Sequence, residues 1–285
     1  MDIFKEIRPL KAFLESSKRD SDSIGFVPTM GALHQGHLSL IQASKRENAK
    51  TICSIYINPT QFNNPDDLAK YPKTLARDIE LLTDVGCDVL FCPENKEMYS
   101  VEPRLKFDFG SLERVLEGKY RPGHFSGVAL VISKLFHIVS PNKAYFGQKD
   151  FQQFKIIEQL VEELKFDVSL RCMPIERESD GLAMSSRNTR LSAEQKEKAT
   201  TLYKCLLLAS NLIKDGHTMD SIRKKIESIF LKVDGIKLEY FELANTTNLM
   251  SLKYVADKSS TAILLIAGYV GEVRLIDNLL LTDEN

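Results

Sequence analysis

The chain has 285 residues, 43% hydrophobic and 27% charged, with 38 basic side chains against 39 acidic ones and a net charge of −1. A chain of this length buries about 75% of its unfolded surface, so its core needs no metal or disulfide staple. The near-neutral balance excludes a global pull toward nucleic acid or an anionic membrane. The opening MDIFKEIRPLKAFLES mixes charged and apolar residues, unlike a signal peptide, and no run approaches the ~20 apolar residues of a membrane span. A cytoplasmic protein is expected. In chain order, the pattern predicts a helix over 3–16, then a short apolar strand over 23–30 that enters a turn at Pro28. An amphipathic helix over 36–49 follows, then a β-branched strand over 51–58 and an Asn- and Pro-rich loop over 58–67. A helix over 74–86 stops at Gly86, and 87–93 reads as another strand. The alternation continues with a helix at 127–139, a strand at 143–148, a helix at 150–164 and a strand at 168–176.

Strands alternating with helices predict an α/β fold: a Rossmann-like parallel sheet with helices on both faces. The polar stretch 176–192 breaks the pattern with an Asp180-Gly181 turn signal. Ser192 with Gln195 then makes a capping box that opens a helix over 193–214. Further on, 239–245 and 261–278 alternate like antiparallel strands, so the last third reads as a smaller C-terminal α+β domain. The expected division is 1–176 and 177–285, hinged within 176–192. The five cysteines, Cys53, Cys87, Cys92, Cys172 and Cys205, form no CxxC and have mostly apolar neighbours. Reduced core thiols are expected.

Four stretches hold chemistry. In VPTMGALHQGHLSLI, His34 and His37 stand between glycines at a strand-to-helix switch. A metal site lacks further ligands, since the remaining histidines, 124, 137 and 217, have no ligand spacing. A pair of helix-start structural residues stays open. A phosphate site fits better: backbone N–H groups at a helix start favour anions, Gly31 and Gly36 admit close approach, and histidine donates without a permanent charge. In FGQKDFQQ, Asp150 and Gln153 have capping-box spacing, while Lys149 at a strand's end could neutralise phosphate. In MSSR, the reading is either a polar interdomain linker or a polyphosphate clamp of Ser185, Ser186 and Arg187. In NPTQF, Gln61 offers a donor and an acceptor.

HxGH after the first strand of such a fold resembles the signature of the nucleotidylyl-transferase superfamily and of class I aminoacyl-tRNA synthetases. The wider strings FVPTMGALHQGHLSLI, YINPTQF, YPKTLARD, RPGHFSGV, FGQKDFQQ and DGLAMSSRN, in that order, resemble the pantothenate synthetase family, the pantoate–β-alanine ligases. The close resemblance spans roughly residues 24–190. It implies ATP-dependent condensation of (R)-pantoate with β-alanine through a pantoyl adenylate, releasing pyrophosphate and AMP, by a cytoplasmic homodimer. It implies ATP contacts from Met30, Gly31, Ala32, Leu33, His34, Gln35, Gly36 and His37, from Gly147, Gln148, Lys149 and Asp150, and from Glu176, Met184, Ser185, Ser186 and Arg187. His37, His34, Lys149, Ser185, Ser186 and Arg187 then act on the phosphates, with Arg187 standing where the superfamily's second signature loop carries a lysine. Gln61, Gln153, Tyr71, Arg121 and His124 are implied for pantoate and β-alanine.

Glu176 departs from the family pattern, which commonly has an apolar adenine contact there. Asp78 reads as a magnesium ligand or, on an amphipathic helix, as a solvated acid; Mg2+ is better argued from ATP, whose phosphates supply most of its ligands. Three other readings stay open at this point. A nucleotidyltransferase that keeps AMP on its product fits HxGH equally, and free AMP separates the two. A small tRNA-directed synthetase conflicts with the neutral charge, and a non-catalytic nucleotide module does not need Gln61, Lys149 and Arg187 together.

Overall fold

The computed structural model describes residues 1–19, 23–254 and 262–281. It forms two compact units. The first comprises Met1–Gln148 and Gln152–Pro174, the second Lys149–Phe151 and Ile175–Asn285.

The first unit runs β1 (Asp2–Phe4), α1 (Ile7–Arg19), β2 (Ile24–Thr29), α2 (Gln35–Glu47), β3 (Lys50–Ile55), α3 (Pro65–Ala69), α4 (Leu75–Asp84) and β4 (Val89–Phe91). It continues with α5 (Asn95–Met98), α6 (Leu116–Tyr120), α7 (His124–Val139), β5 (Lys143–Gly147), α8 (Phe151–Leu164, whose first residue falls in the second unit) and β6 (Ser169–Met173). The strands form one sheet in the order β1-β4-β3-β2-β5-β6, every pair parallel. Such sheets are covered on both faces, which is why β2, β3 and β4 are near-continuous buried runs rather than alternating ones. Val27, Ile41, Cys53, Leu82, Leu90 and Tyr145 pack together in a core of this unit. Strand order reverses between β2 and β5, so their carboxyl ends define the switch point where doubly wound sheets bind ligands.

Two expectations change in this unit. The helix expected from residue 3 starts at Ile7, because Asp2–Phe4 adds a parallel edge strand with Ile3 opposite Leu90. Pro28 lies inside β2 rather than in a turn. The β2–β3 ladder runs on to Thr29 opposite Ile55, while pairing with β5 is confined to Gly25 and Phe26, so the missing N–H of Pro28 breaks no bond on that side.

The second unit contains α9 (Ala193–Ala199), α10 (Thr201–Lys214), α11 (Met219–Lys232), β7 (Ile236–Asn245), β8 (Ala262–Val270) and β9 (Val273–Leu281). The strands form an antiparallel sheet, β7-β8-β9, with α10 on β8 and β9 and α11 on β7. The capping box at Ser192 is present. The helix expected over 193–214 breaks at Thr200, whose N–H and hydroxyl both turn back to the Glu197 carbonyl. β9 alternates at its start, but β8 is buried at nearly every position, as a central strand under helices can be. Residue 261 of the expected strand lies outside the described residues. Cys53, Cys87, Cys92 and Cys205 are buried free thiols. Cys172 corrects the expectation of five core thiols: it is exposed, on edge strand β6.

Candidate active site

The turn after β2 is the most constrained stretch of the first unit. Gly31 (φ +80) and Ala32 (φ +50) are both left-handed. An alanine held there costs about 1 kcal/mol or more, so something must over-determine it. That group is Asp78 on α4, 1% exposed. Its Oδ2 accepts from the Ala32 N–H at 3.0 Å and its Oδ1 from the Leu33 N–H at 2.9 Å. Thr74 donates its hydroxyl to both oxygens at 3.2 Å. Thr29 Oγ1 accepts from the Gly31 N–H. Asp78 is therefore neither a solvated acid nor a magnesium ligand with an available oxygen, but the buried acceptor that shapes this turn. The expected backbone cradle narrows accordingly, because the N–H groups of Gly31, Ala32 and Leu33 are already engaged.

His34 is the N-cap of α2, in extended conformation, and His37 follows in the first turn. Their rings lie 4.1 Å apart, tilted by 41°. The His34 carbonyl accepts from the His37 and Leu38 N–H groups, which leaves Gln35 and Gly36 as the helix-start donors lacking intrahelical partners. An anion at this end would meet those two N–H groups and two imidazoles.

The loop after β3 is built around Asn58, 1% exposed. Its Nδ2 donates to Gln61 Oε1 at 3.0 Å and to the Gly127 carbonyl at 3.2 Å. Its Oδ1 accepts from the Thr60 N–H, the Thr60 hydroxyl and Tyr99. Gln61, 7% exposed, donates from Nε2 to Met30 Sδ at 3.3 Å, which joins this loop to the turn after β2. The Gln61 carbonyl accepts from His124 Nδ1 at 2.7 Å, and Arg121 NH1 stands 3.1 Å from His124 Nε2. A carbonyl only accepts and a guanidinium only donates, so this ring is the neutral imidazole protonated at Nδ1. Burial pushes the Tyr56 and Tyr99 phenols above their ordinary value, keeping both hydroxyls as donors, Tyr56 to Asn95. The structure thus joins Gln61, Met30, His124 and Arg121 in one network. Tyr71 is buried with its ring edge-on to Phe62.

Gln153 on α8 is half-buried. The fully engaged glutamine is its neighbour Gln152, which accepts from the Glu117 N–H and donates to the Leu112 and Val115 carbonyls. Sequence reasoning passed over it because three of its partners are backbone atoms about 35–40 residues away.

Gly147 closes β5, and Gln148–Asp150 form a tight turn before α8. In the second unit, Lys149 and Ser185 line one pocket with Leu182, Tyr203, Leu275 and Asp277. The stretch before the MSSR loop is a small hairpin: Arg177 bridges Ala183, and the Met184 N–H donates to the Glu176 carbonyl. The Glu176 side chain is exposed. Ser185 caps the turn Ser186–Arg190 by accepting from the Arg187 N–H, and Ser186 is buried. Arg177 grips Asp277 with two bonds of 2.7 and 2.9 Å. Burial pushes the Asp277 carboxyl above its ordinary value, and the Arg177 bonds act against that rise. Asp277 and Asn278 inside the otherwise apolar run LIDNLLL are the visible signal for these two positions.

An all-parallel sheet that places a histidine helix start at its switch point, next to a buried amide network, puts the chain among doubly wound α/β proteins that bind small anionic ligands there. Within that class it belongs to the pantoate–β-alanine ligase family, whose profile matches residues 2–280. Curated relatives named pantothenate synthetase include one from Cytophaga hutchinsonii, 48% identical over 96% of this chain and 97% of that protein. Another, from Aquifex aeolicus, is 45% identical over 97% of each. The crystal structure of pantothenate synthetase from Thermus thermophilus superimposes with a TM-score of 0.90 at 39% identity, covering 98% of this chain and 99% of that one. The Francisella tularensis pantoate–β-alanine ligase, solved with beta-gamma ATP and β-alanine, gives 0.82 at 38% identity, covering 98% and 97%.

Proposed function

We propose that this chain is a ligase that condenses (R)-pantoate with β-alanine into pantothenate, using ATP and releasing AMP and pyrophosphate. The carrying observation is the family match over residues 2–280, joined to a relative solved with beta-gamma ATP and β-alanine. In the reading we favour, the pantoate carboxylate attacks the α-phosphate of ATP to give pantoyl adenylate and pyrophosphate. The β-alanine amine then attacks the acyl carbon, and AMP leaves.

The first step brings an anion against a polyanion, so donors and cations at the phosphates matter most. We assign that work to His37, Lys149, Ser185, Ser186 and Arg187, with His34 and the Gln35 and Gly36 N–H groups at the helix start. Gly147, Gln148, Asp150, Met184 and Glu176 complete the nucleotide assignment. Gln61, Gln153, Tyr71, Arg121 and His124 take pantoate and β-alanine; the engaged, buried state of Gln61 and His124 supports a rigid pocket there. No side chain needs to become a nucleophile, and holding two small substrates in line supplies much of the remaining rate.

Among the described residues no group of three or more His, Cys, Asp or Glu side chains is placed to hold a metal ion. We assign Mg2+ to ATP's own phosphate oxygens, which supply most of the ligands of such an ion. We assign residues 1–176 to nucleotide and pantoate binding and 177–285 to a lid, in a cytoplasmic homodimer as the resemblance implies. No helix among the described residues is long and apolar enough to cross a membrane. ATP–pyrophosphate exchange tests the function: exchange that requires pantoate, before β-alanine is added, supports it, and pantoate-independent exchange defeats it.

A further inference from the structure

The second unit contains a buried ion pair that the reaction above does not use. Arg177 holds Asp277 with both prongs of its guanidinium, 2.7 and 2.9 Å. The same group donates to the Gly181 carbonyl at 3.1 Å and to the Asn278 carbonyl at 3.3 Å, and it stacks on the Tyr203 ring at 3.7 Å. The Asn278 N–H donates to Asp277 Oδ1 at 2.8 Å, and Asn278 Nδ2 donates to the carbonyl of Lys149 at 3.0 Å. Asn278 is 1% exposed.

Two functional segments are therefore fixed by one guanidinium. On one side it ties down the hairpin at Gly181, where Tyr203 packs so closely that a Cβ would lie 2.6 Å from its ring. That hairpin leads directly into Ser185–Arg187. On the other side it orders Asp277 and Asn278, and Asn278 fixes the backbone of Lys149. Lys149, Ser185 and Asp277 line the same pocket. A buried ion pair is a poor source of stability, since desolvation offsets most of its Coulomb gain. What this one supplies is geometry, because a two-pronged pair stacked on a ring has little angular freedom.

We propose that Arg177, Asp277 and Asn278 are positioning residues for adenylation, setting Lys149 and the Ser185–Arg187 loop in a common frame. The inference rests on the function proposed above. Its test separates the half-reactions in Asn278→Ala and Arg177→Lys, the latter keeping charge but losing the two-pronged geometry. ATP–pyrophosphate exchange with pantoate reads adenylation; pantothenate formed from supplied pantoyl adenylate and β-alanine reads the second step. The expected result is exchange down about tenfold to a hundredfold, the scale of a small misplacement, with the second step within about threefold of wild type. Equal losses in both steps, unchanged exchange, or failure of both variants to fold would overturn the proposal, the last by giving the pair a purely structural role. Absence of pantoate-dependent exchange in the wild-type chain would instead overturn the function itself.

Discussion

Two turns in this molecule are held by buried carboxylates, and they are held differently. In the first unit Asp78 is met by two backbone N–H groups and a threonine hydroxyl. In the second unit Asp277 is matched by a guanidinium that also reaches two backbone carbonyls. The first arrangement takes donors away from a turn and leaves it rigid but locally electron-rich. The second takes no N–H from the loop that follows, whose Met184 and Arg187 amides are held by Glu176 and Ser185, and fixes its base. A turn to which we assign two histidines and a helix start can give up its own amides. A loop whose assigned donors are serines and an arginine is better held from behind.

The comparison can be broken by substitution. The largest effect expected is from Lys149→Ala, which lowers adenylate formation by about 10²–10³-fold if it is an electrostatic donor to the phosphates; near wild-type pantoate-dependent exchange removes it from the mechanism. Next is Asp78→Ala, which strands two buried N–H groups at about 1–3 kcal/mol each. Thermal unfolding should show a loss of about 2–6 kcal/mol, and the KM for ATP should rise as the turn relaxes. Asp78→Asn, which keeps size but offers a single acceptor oxygen, should fall between. A stable Asp78→Ala with unchanged ATP kinetics would erase the contrast between the two turns. Gly127→Ala is expected to cost about 1–3 kcal/mol by overpacking, since a Cβ there would lie 2.2 Å from the Thr60 carbonyl oxygen; unfolding midpoints check it. Smallest is Gln61→Ala, expected to raise the pantoate KM by about tenfold, one lost hydrogen bond, and the ATP KM by less. Equal changes in both would count against the pocket assignment.

The residues legible in the sequence were those whose signal is contiguous. HxGH, GQKD and MSSR each declare themselves within four positions, and strand-helix alternation announces a parallel sheet. What stayed illegible was the support behind them. Asp78 meets its turn 46 positions away, Arg177 meets Asp277 100 away, and Asn278 meets Lys149 129 away. Periodicity carries no information at those separations, so Asp78 looked like an acid on a wet helix face. The edge strand Asp2–Phe4 was hidden for the same reason, being three residues long and paired with Val89–Phe91.

Gly127 has a wider consequence. Helix α7 meets the Thr60–Gln61 peptide backbone against backbone, with no side chain between to absorb a shift. The helix rises about 1.5 Å per residue, while a productive binding geometry tolerates displacements of about 0.5 Å. The position of Gln61 is therefore tied mechanically to where α7 sits along its own axis. A slide of that helix by a third of a residue would carry both His124, its first residue, and the Thr60–Gln61 peptide it presses on, so the two residues we assign to one substrate site shift together.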